Sequence, residues 1–147
     1  MKTSAVMTRD IVVVSPSVSA HAALMTMGRL TVRHVPVVEN GRLVGIISDR
    51  DVLRRPVVTP PLTCREVMTP APVTCLADTS VGQVVRFMLE HKIDCVPVVD
   101  VDQHLVGLVT STDLLELLLE RDATQVLPPF EFRLRLADTD EALTFAA

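Results

Sequence analysis

Tryptophan and tyrosine are absent from this 147-residue chain, and its aromatic content is four phenylalanines. With 48% of the residues apolar, the interior has to be built from Val, Leu, Ile, Ala and Met, which suits short strands alternating with helices. No segment approaches the roughly 20 apolar residues of a membrane span, and "MKTSAVMTRD" lacks the apolar stretch of a secretory signal. A soluble, cytoplasmic protein without a membrane partner is expected. Cysteine is scarce too: Cys64, Cys75 and Cys95 are odd in number and form no C-x-x-C pair, which fits a reducing compartment and argues against a disulfide framework. A cationic excess is also missing. The formal charge is −4, which speaks against a nucleic-acid partner, because phosphates call for a large basic face.

The signatures of catalysis are equally missing. There is no Gly-rich phosphate loop, no G-x-S-x-G elbow and no pair of catalytic carboxylates. His21, His34, His91 and His104 are scattered, none of them four residues from another, so neither a metal site nor a catalytic cofactor is expected. A cysteine nucleophile needs a nearby base, and Cys95 could meet His34 only across the fold; a small buried thiol is the plainer reading. The expectation is that the chain is not an enzyme.

What the chain does have is an internal repeat. "AVMT" at 5–8 matches "EVMT" at 66–69, and "HVPVVEN" at 34–40 matches "CVPVVDV" at 95–101. Met7 and Met68, Met27 and Met88, and Pro36 and Pro97 all lie 61 positions apart; the offset becomes 62 from Gly45 and Gly107 onward, so one residue is inserted in the second hairpin loop. Each copy reads as β-α-β-β-α. "IVVV" at 11–14 and "PVTC" at 72–75 are short strands. Ala20, Ala23, Leu24 and Met27 share one helical face, as do Val81, Val84, Val85 and Met88, the latter behind a Ser80/Gln83 capping box. "VPVV" and "LVGII" are joined by Asn40-Gly41, a strong hairpin signal, and a last helix starts near Asp49 and near Ser111. Repeat one takes residues 3–55, a proline-bearing linker 56–62 and repeat two 63–121. A 60-residue unit with two helices leaves one sheet face bare, so the copies are expected to close on each other as one pseudo-twofold α/β (α+β) domain over 1–121.

Two further segments suggest contacts. "LLELLLE" at 114–120 is apolar nearly all round, predicting a homodimer packed through this helix and the helix at 19–30. Residues 122–147 fall outside the repeat. There "FEFRLRL" at 130–136 alternates strictly, with Phe130, Phe132, Leu134 and Leu136 on one face, as in an extra edge strand or a segment that docks on a partner.

"VMT...VPVVENGRLVGIISDRD" and "VMT...VPVVD...LVGLVTSTD" resemble the two halves of a cystathionine-beta-synthase (CBS) domain pair, or Bateman module, over residues 3 to 121. The resemblance implies a regulatory module for adenosine-containing ligands, here expected to be free-standing, with an unknown client protein.

Ser48 with Asp51, and Thr110 with Asp113, fit two readings at once. Hydroxyl and carboxylate cap a helix start, each worth about 1 kcal/mol. The same carboxylate can accept two ribose hydroxyls beside helix-end amides that favour phosphate, while neighbouring strands sandwich a base. In modules of this kind each pocket mixes both copies. Asp113, Thr110 and Thr112 are then expected to face Thr8, Val12, Arg33, His34, Val35 and Pro36. Asp51, Ser48 and Arg50 are expected to face Thr69, Val73, Asp94, Cys95, Val96 and Pro97. Because "RH" at 33–34 becomes "DC" at 94–95, the Asp113 pocket is expected to be the better phosphate site for AMP, ADP or ATP. The Asp51 pocket is expected to suit a neutral or singly charged adenosine compound or to stay empty, and S-adenosylmethionine stands beside the nucleotides as a ligand of the module. Besides this sensor, a constitutive dimerisation scaffold with vestigial pockets is an alternative, and a small enzyme using Cys95 a more distant one.

Overall fold

The computed structural model describes residues 1–122. After a 3-10 turn at Thr3–Ala5 come α1 (Ala20–Leu30), β1 (His34–Glu39), β2 (Arg42–Ser48) and α2 (Asp49–Leu53). The second copy supplies α3 (Cys64–Val67), β3 (Thr69–Pro70), β4 (Cys75–Leu76), α4 (Val81–His91), β5 (Cys95–Val99), β6 (Leu105–Thr110) and α5 (Ser111–Asp122). The β1–β2 hairpin turns at Asn40 and Gly41, whose φ values of 51° and 77° give the left-handed pair a two-residue hairpin needs. In the longer second loop Gln103 takes the positive φ, 67°, and Asp100 accepts the amide protons of Asp102 and His104.

There are two three-stranded sheets, β1-β2-β3 and β4-β5-β6. Their composition crosses the sequence repeat. β3 belongs to copy two, yet it pairs with β2 of copy one, Thr69 opposite Ile46. The equivalent residue of copy one, Thr8, pairs with Leu108 of β6 through two backbone hydrogen bonds of 2.9 Å. Each chain segment then returns to its own hairpin: Val14 forms a parallel bridge to Val37 of β1, and Cys75 lies parallel to Val98 of β5. The contacts come in interchanged pairs, as a pseudo-twofold arrangement requires.

The buried side chains follow this exchange. One core gathers Ala20, Ala23 and Met27 of α1 with Val35, Val37 and Ile47, and takes in Cys64 and Val67 from α3. The other gathers Val84 and Met88 of α4 with Val96, Val98 and Val109, with Val6 and Met7 packed on it. Both helices keep the apolar face that the spacing predicts, and both stop at a left-handed residue, Thr31 or Lys92. The first strands are shorter than expected. Only Val14 bridges in 11–14, and β4 begins at Cys75, because Val12 and Val13 stand exposed in a loop and Pro72 has no amide to donate. Among the described residues no helix is long and apolar enough to cross a membrane. The strand expected at 130–136 lies outside the described residues.

Candidate functional site

Both hydroxyl–carboxylate pairs close a helix start at the end of the second strand of a hairpin, β2 or β6. The Ser48 amide donates to Asp51 Oδ2 at 2.9 Å, and Ser48 Oγ accepts the Asp51 amide at 3.2 Å. At the other end, the Thr110 amide and hydroxyl both donate to Asp113 Oδ2, at 2.7 and 2.8 Å, while the Asp113 amide returns to Thr110 Oγ1 at 3.3 Å. The capping reading is therefore realised at both. Each cap engages one carboxylate oxygen; among the described residues no donor meets Oδ1 of either half-buried Asp. That oxygen keeps its lone pairs for a further donor.

Each carboxylate lines a cleft between the two copies. Asp113, Thr110 and Thr112 share a cleft of about 520 Å³ with Thr8, Val12, Arg33 and His34. Asp51, Ser48 and Arg50 share one of about 530 Å³ with Thr69, Val73, Asp94 and Cys95. Four expected residues are placed elsewhere. Val35, Pro36, Val96 and Pro97 are buried within β1 and β5 and line neither cleft. Part of each strand's outer edge is taken, since Val14 donates to the Pro36 carbonyl at 3.0 Å and accepts from the Val38 amide at 2.9 Å, and β4 pairs with Val98 and Val99 of β5.

The charges differ from the expected distribution. Arg33 and Asp94, at matched positions, line both clefts. Beyond them the Asp113 cleft is lined by the carboxylates of Asp10, Asp113 and Glu116 and by no further Arg or Lys. The Asp51 cleft is lined by Arg50, Arg54 and Lys92 against Asp49 and Asp51. Arg33 is also engaged, its Nε 3.7 Å from Asp49 Oδ2. His34 is held below its ordinary pKa of 6.5 by burial, with Arg33 adding to this and Asp94, Asp49 and Asp51 opposing it, so it offers no cation at neutral pH. The cation-rich cleft is that of Asp51, the reverse of the sequence expectation. Weighing Arg33 and His34 above the exchange of Arg50 for Thr112 missed Arg54 and Glu116, which stand one helical turn after Asp51 and Asp113; the i+3 spacing was the available signal.

Neither cleft is equipped for nucleophilic chemistry at Cys95. Burial first, then Asp113 and Asp94, pushes its thiol pKa up to about 12, which leaves the thiolate negligible at neutral pH. Away from the clefts, Asp100, Asp102 and His104 converge within 4.8 Å. Asp100 holds its loop there, and the amide hydrogen bond from His104 is the main reason its carboxyl lies below its ordinary pKa.

The CBS domain model matches residues 4–58 and again 64–120. The chain belongs to the CBS domain family. This CBS pair is 37% identical over 108 residues to the inosine-5'-monophosphate dehydrogenase of Halobacterium salinarum, covering 73% of this chain and 22% of that protein. It is 38% identical over 96 residues to the magnesium transporter MgtE of Thermus thermophilus, covering 65% of this chain and 20% of the transporter. The chain thus spans about a fifth of the length of these relatives. Among solved structures, the CBS domain pair of protein MJ0100 in complex with 5'-methylthioadenosine and S-adenosyl-L-methionine superposes with a TM-score of 0.76 at 28% identity, covering 82% of this chain and 98% of that one. CBSX2 in complex with AMP gives 0.73 at 27% identity, covering 81% and 97%.

Proposed function

We propose that this CBS pair is a non-enzymatic regulatory module that holds adenosine-containing ligands in its two inter-copy clefts. The observation that carries this is the free Oδ1 of Asp51 and of Asp113, each on the wall of a cleft of about 500 Å³, within the size range of small-molecule sites. The ligands bound by MJ0100 and CBSX2 share adenosine and its vicinal ribose hydroxyls, the donors such an oxygen can accept. A ligand in either cleft touches both copies, so its binding favours the relative arrangement of the copies that contacts it best. Regulation of a client protein is then a shift of population without bond chemistry. We further propose that modules pair through their exposed apolar helix faces.

Isothermal titration calorimetry with AMP, ATP, S-adenosylmethionine and adenosine tests the reading. Binding of at least one of them to the wild type is expected, with loss in the Asp51→Ala/Asp113→Ala variant. Each substitution also removes the carboxylate half of a capping box, at about 1 kcal/mol, so circular dichroism must show the variant folded at the titration temperature. Undiminished binding by the folded double variant would remove the carboxylates from the site.

A further inference from the structure

The clefts are related by the repeat, so their linings can be compared position by position. Arg50 of the Asp51 cleft stands where the Asp113 cleft has Thr112, and Arg54 where it has Glu116. Lys92 corresponds to Thr31, and Ala71 to Asp10. All four exchanges make the Asp51 cleft the more positive one. The opposing exchange, Asp49 against Ser111, is already answered by Arg33, which pairs with Asp49. Charges of one sign around a concave wall add their potentials even when each is solvated.

We infer that the two clefts sort adenosine ligands by charge, the Asp51 cleft taking the phosphate-bearing nucleotide and the Asp113 cleft a cationic one such as a sulfonium nucleoside; this rests on the adenosine reading above. Two groups work against it, and neither reverses it. The twelve-residue α5 points its positive end at the Asp113 cleft, but Asp113 in its first turn meets that end with the chain's own carboxylate. Asp94 lies in the Asp51 cleft as well as the other, so it bears on both equally in sign. The discriminating charges sit on exposed side chains, Arg50, Arg54 and Lys92 on one side and Asp10 and Glu116 on the other. Discrimination should therefore be strongest at low ionic strength and fade as the Debye length falls below about 10 Å.

Calorimetry at low salt with AMP, S-adenosylmethionine and uncharged adenosine decides the matter. AMP binding should be lost with Asp51→Ala and kept with Asp113→Ala, and S-adenosylmethionine should show the converse. Arg54→Glu should weaken AMP by about tenfold and Glu116→Arg should weaken S-adenosylmethionine by about tenfold, with adenosine affinity unmoved as the check that the clefts remain formed. On the wild type, added salt should weaken AMP and S-adenosylmethionine but not adenosine. If adenosine binds while the charged ligands ignore the charge variants, or each prefers the other cleft, the sorting is wrong and the adenosine reading stands. If the wild type binds none of the three, both fall together.

Discussion

Met68 packs so closely over Gly45 that a methyl group there would stand 2.9 Å from its Cγ and 3.0 Å from the carbonyl oxygen of Thr69. Met7 covers Gly107 in the same way from the other copy. The "VMT" and "LVG" motifs, far apart in the chain, are thus two sides of a single contact made twice, one of those that join the copies. A Cβ at either glycine would displace the methionine that lies on it.

Gly45→Ala should cost about 1–3 kcal/mol, as overpacking of a close contact does. Gly107→Ala should cost less, because the atoms in its way belong to the Met7 side chain, with Cγ at 2.9 Å and Cβ at 3.2 Å, whereas Gly45 also faces backbone. Urea denaturation of the two variants measures this; equal stability of Gly45→Ala and wild type would show that the contact yields freely.

His34 titrates below its ordinary value because burial disfavours the imidazolium. A base with a lowered folded pKa contributes stability that is complete above its unfolded value of 6.5 and is lost as the pH falls through the folded value. Wild-type thermal stability should therefore drop between pH 7 and pH 5 by more than that of His34→Gln. Parallel curves for the two proteins would count against a buried neutral His34.

Cys95 behaves in the opposite sense. Its folded pKa of about 12 exceeds the ordinary 9.0, so its contribution is complete below pH 9 and is lost as the pH rises towards 12. Replacement by Ala should flatten the alkaline arm of the stability curve. At pH 8, alkylation of Cys95 in the folded protein should be slower than in urea-unfolded protein by about tenfold or more. Rapid native labelling at this position would mean that the thiol is not enclosed.

Leu115, Leu118 and Leu119 on α5 are exposed by 60, 54 and 74%, and Met25 on α1 by 56%. If modules pair through these faces, sedimentation should show a dimer for the wild type and a monomer for Leu115→Glu/Leu119→Glu. A stable wild-type monomer at micromolar concentration would dispose of the pairing.

Much of the architecture could be read from the residues, because duplicated signals reinforce each other. The Asn40-Gly41 turn, the Ser80/Gln83 cap and the α1 and α4 faces all rest on local physics that the sequence carries directly. What the repeat could not reveal was which copy each leading segment joins. Thr8 and Thr69 pair with the opposite copy, and nothing local in "AVMT" or "EVMT" encodes that, since it depends on contacts made across the pseudo-twofold. The cleft residues were legible where a motif named them, as with Ser48, Asp51, Thr110 and Asp113. Lys92 was not, because the end of α4 brings it in from a position that no motif marks, and Arg54 could be found only through its i+3 spacing from Asp51. Val35, Pro36, Val96 and Pro97 are buried in their strands and line neither cleft, since proximity in sequence to a cleft residue says nothing about which way a strand residue faces.

The exchanged segments also constrain how the protein can be made. As the chain leaves the ribosome, the first hairpin is complete by Ser48, yet its sheet has no third strand until Thr69 and Pro70 emerge, and its core lacks Cys64 and Val67 until then. Met7 and Thr8 wait longer still, because Gly107 and Leu108, on which they rest, are among the last described residues to be synthesised. Neither half has its full sheet and core without the other, and the ligand clefts, which both copies line, can form only when both are present.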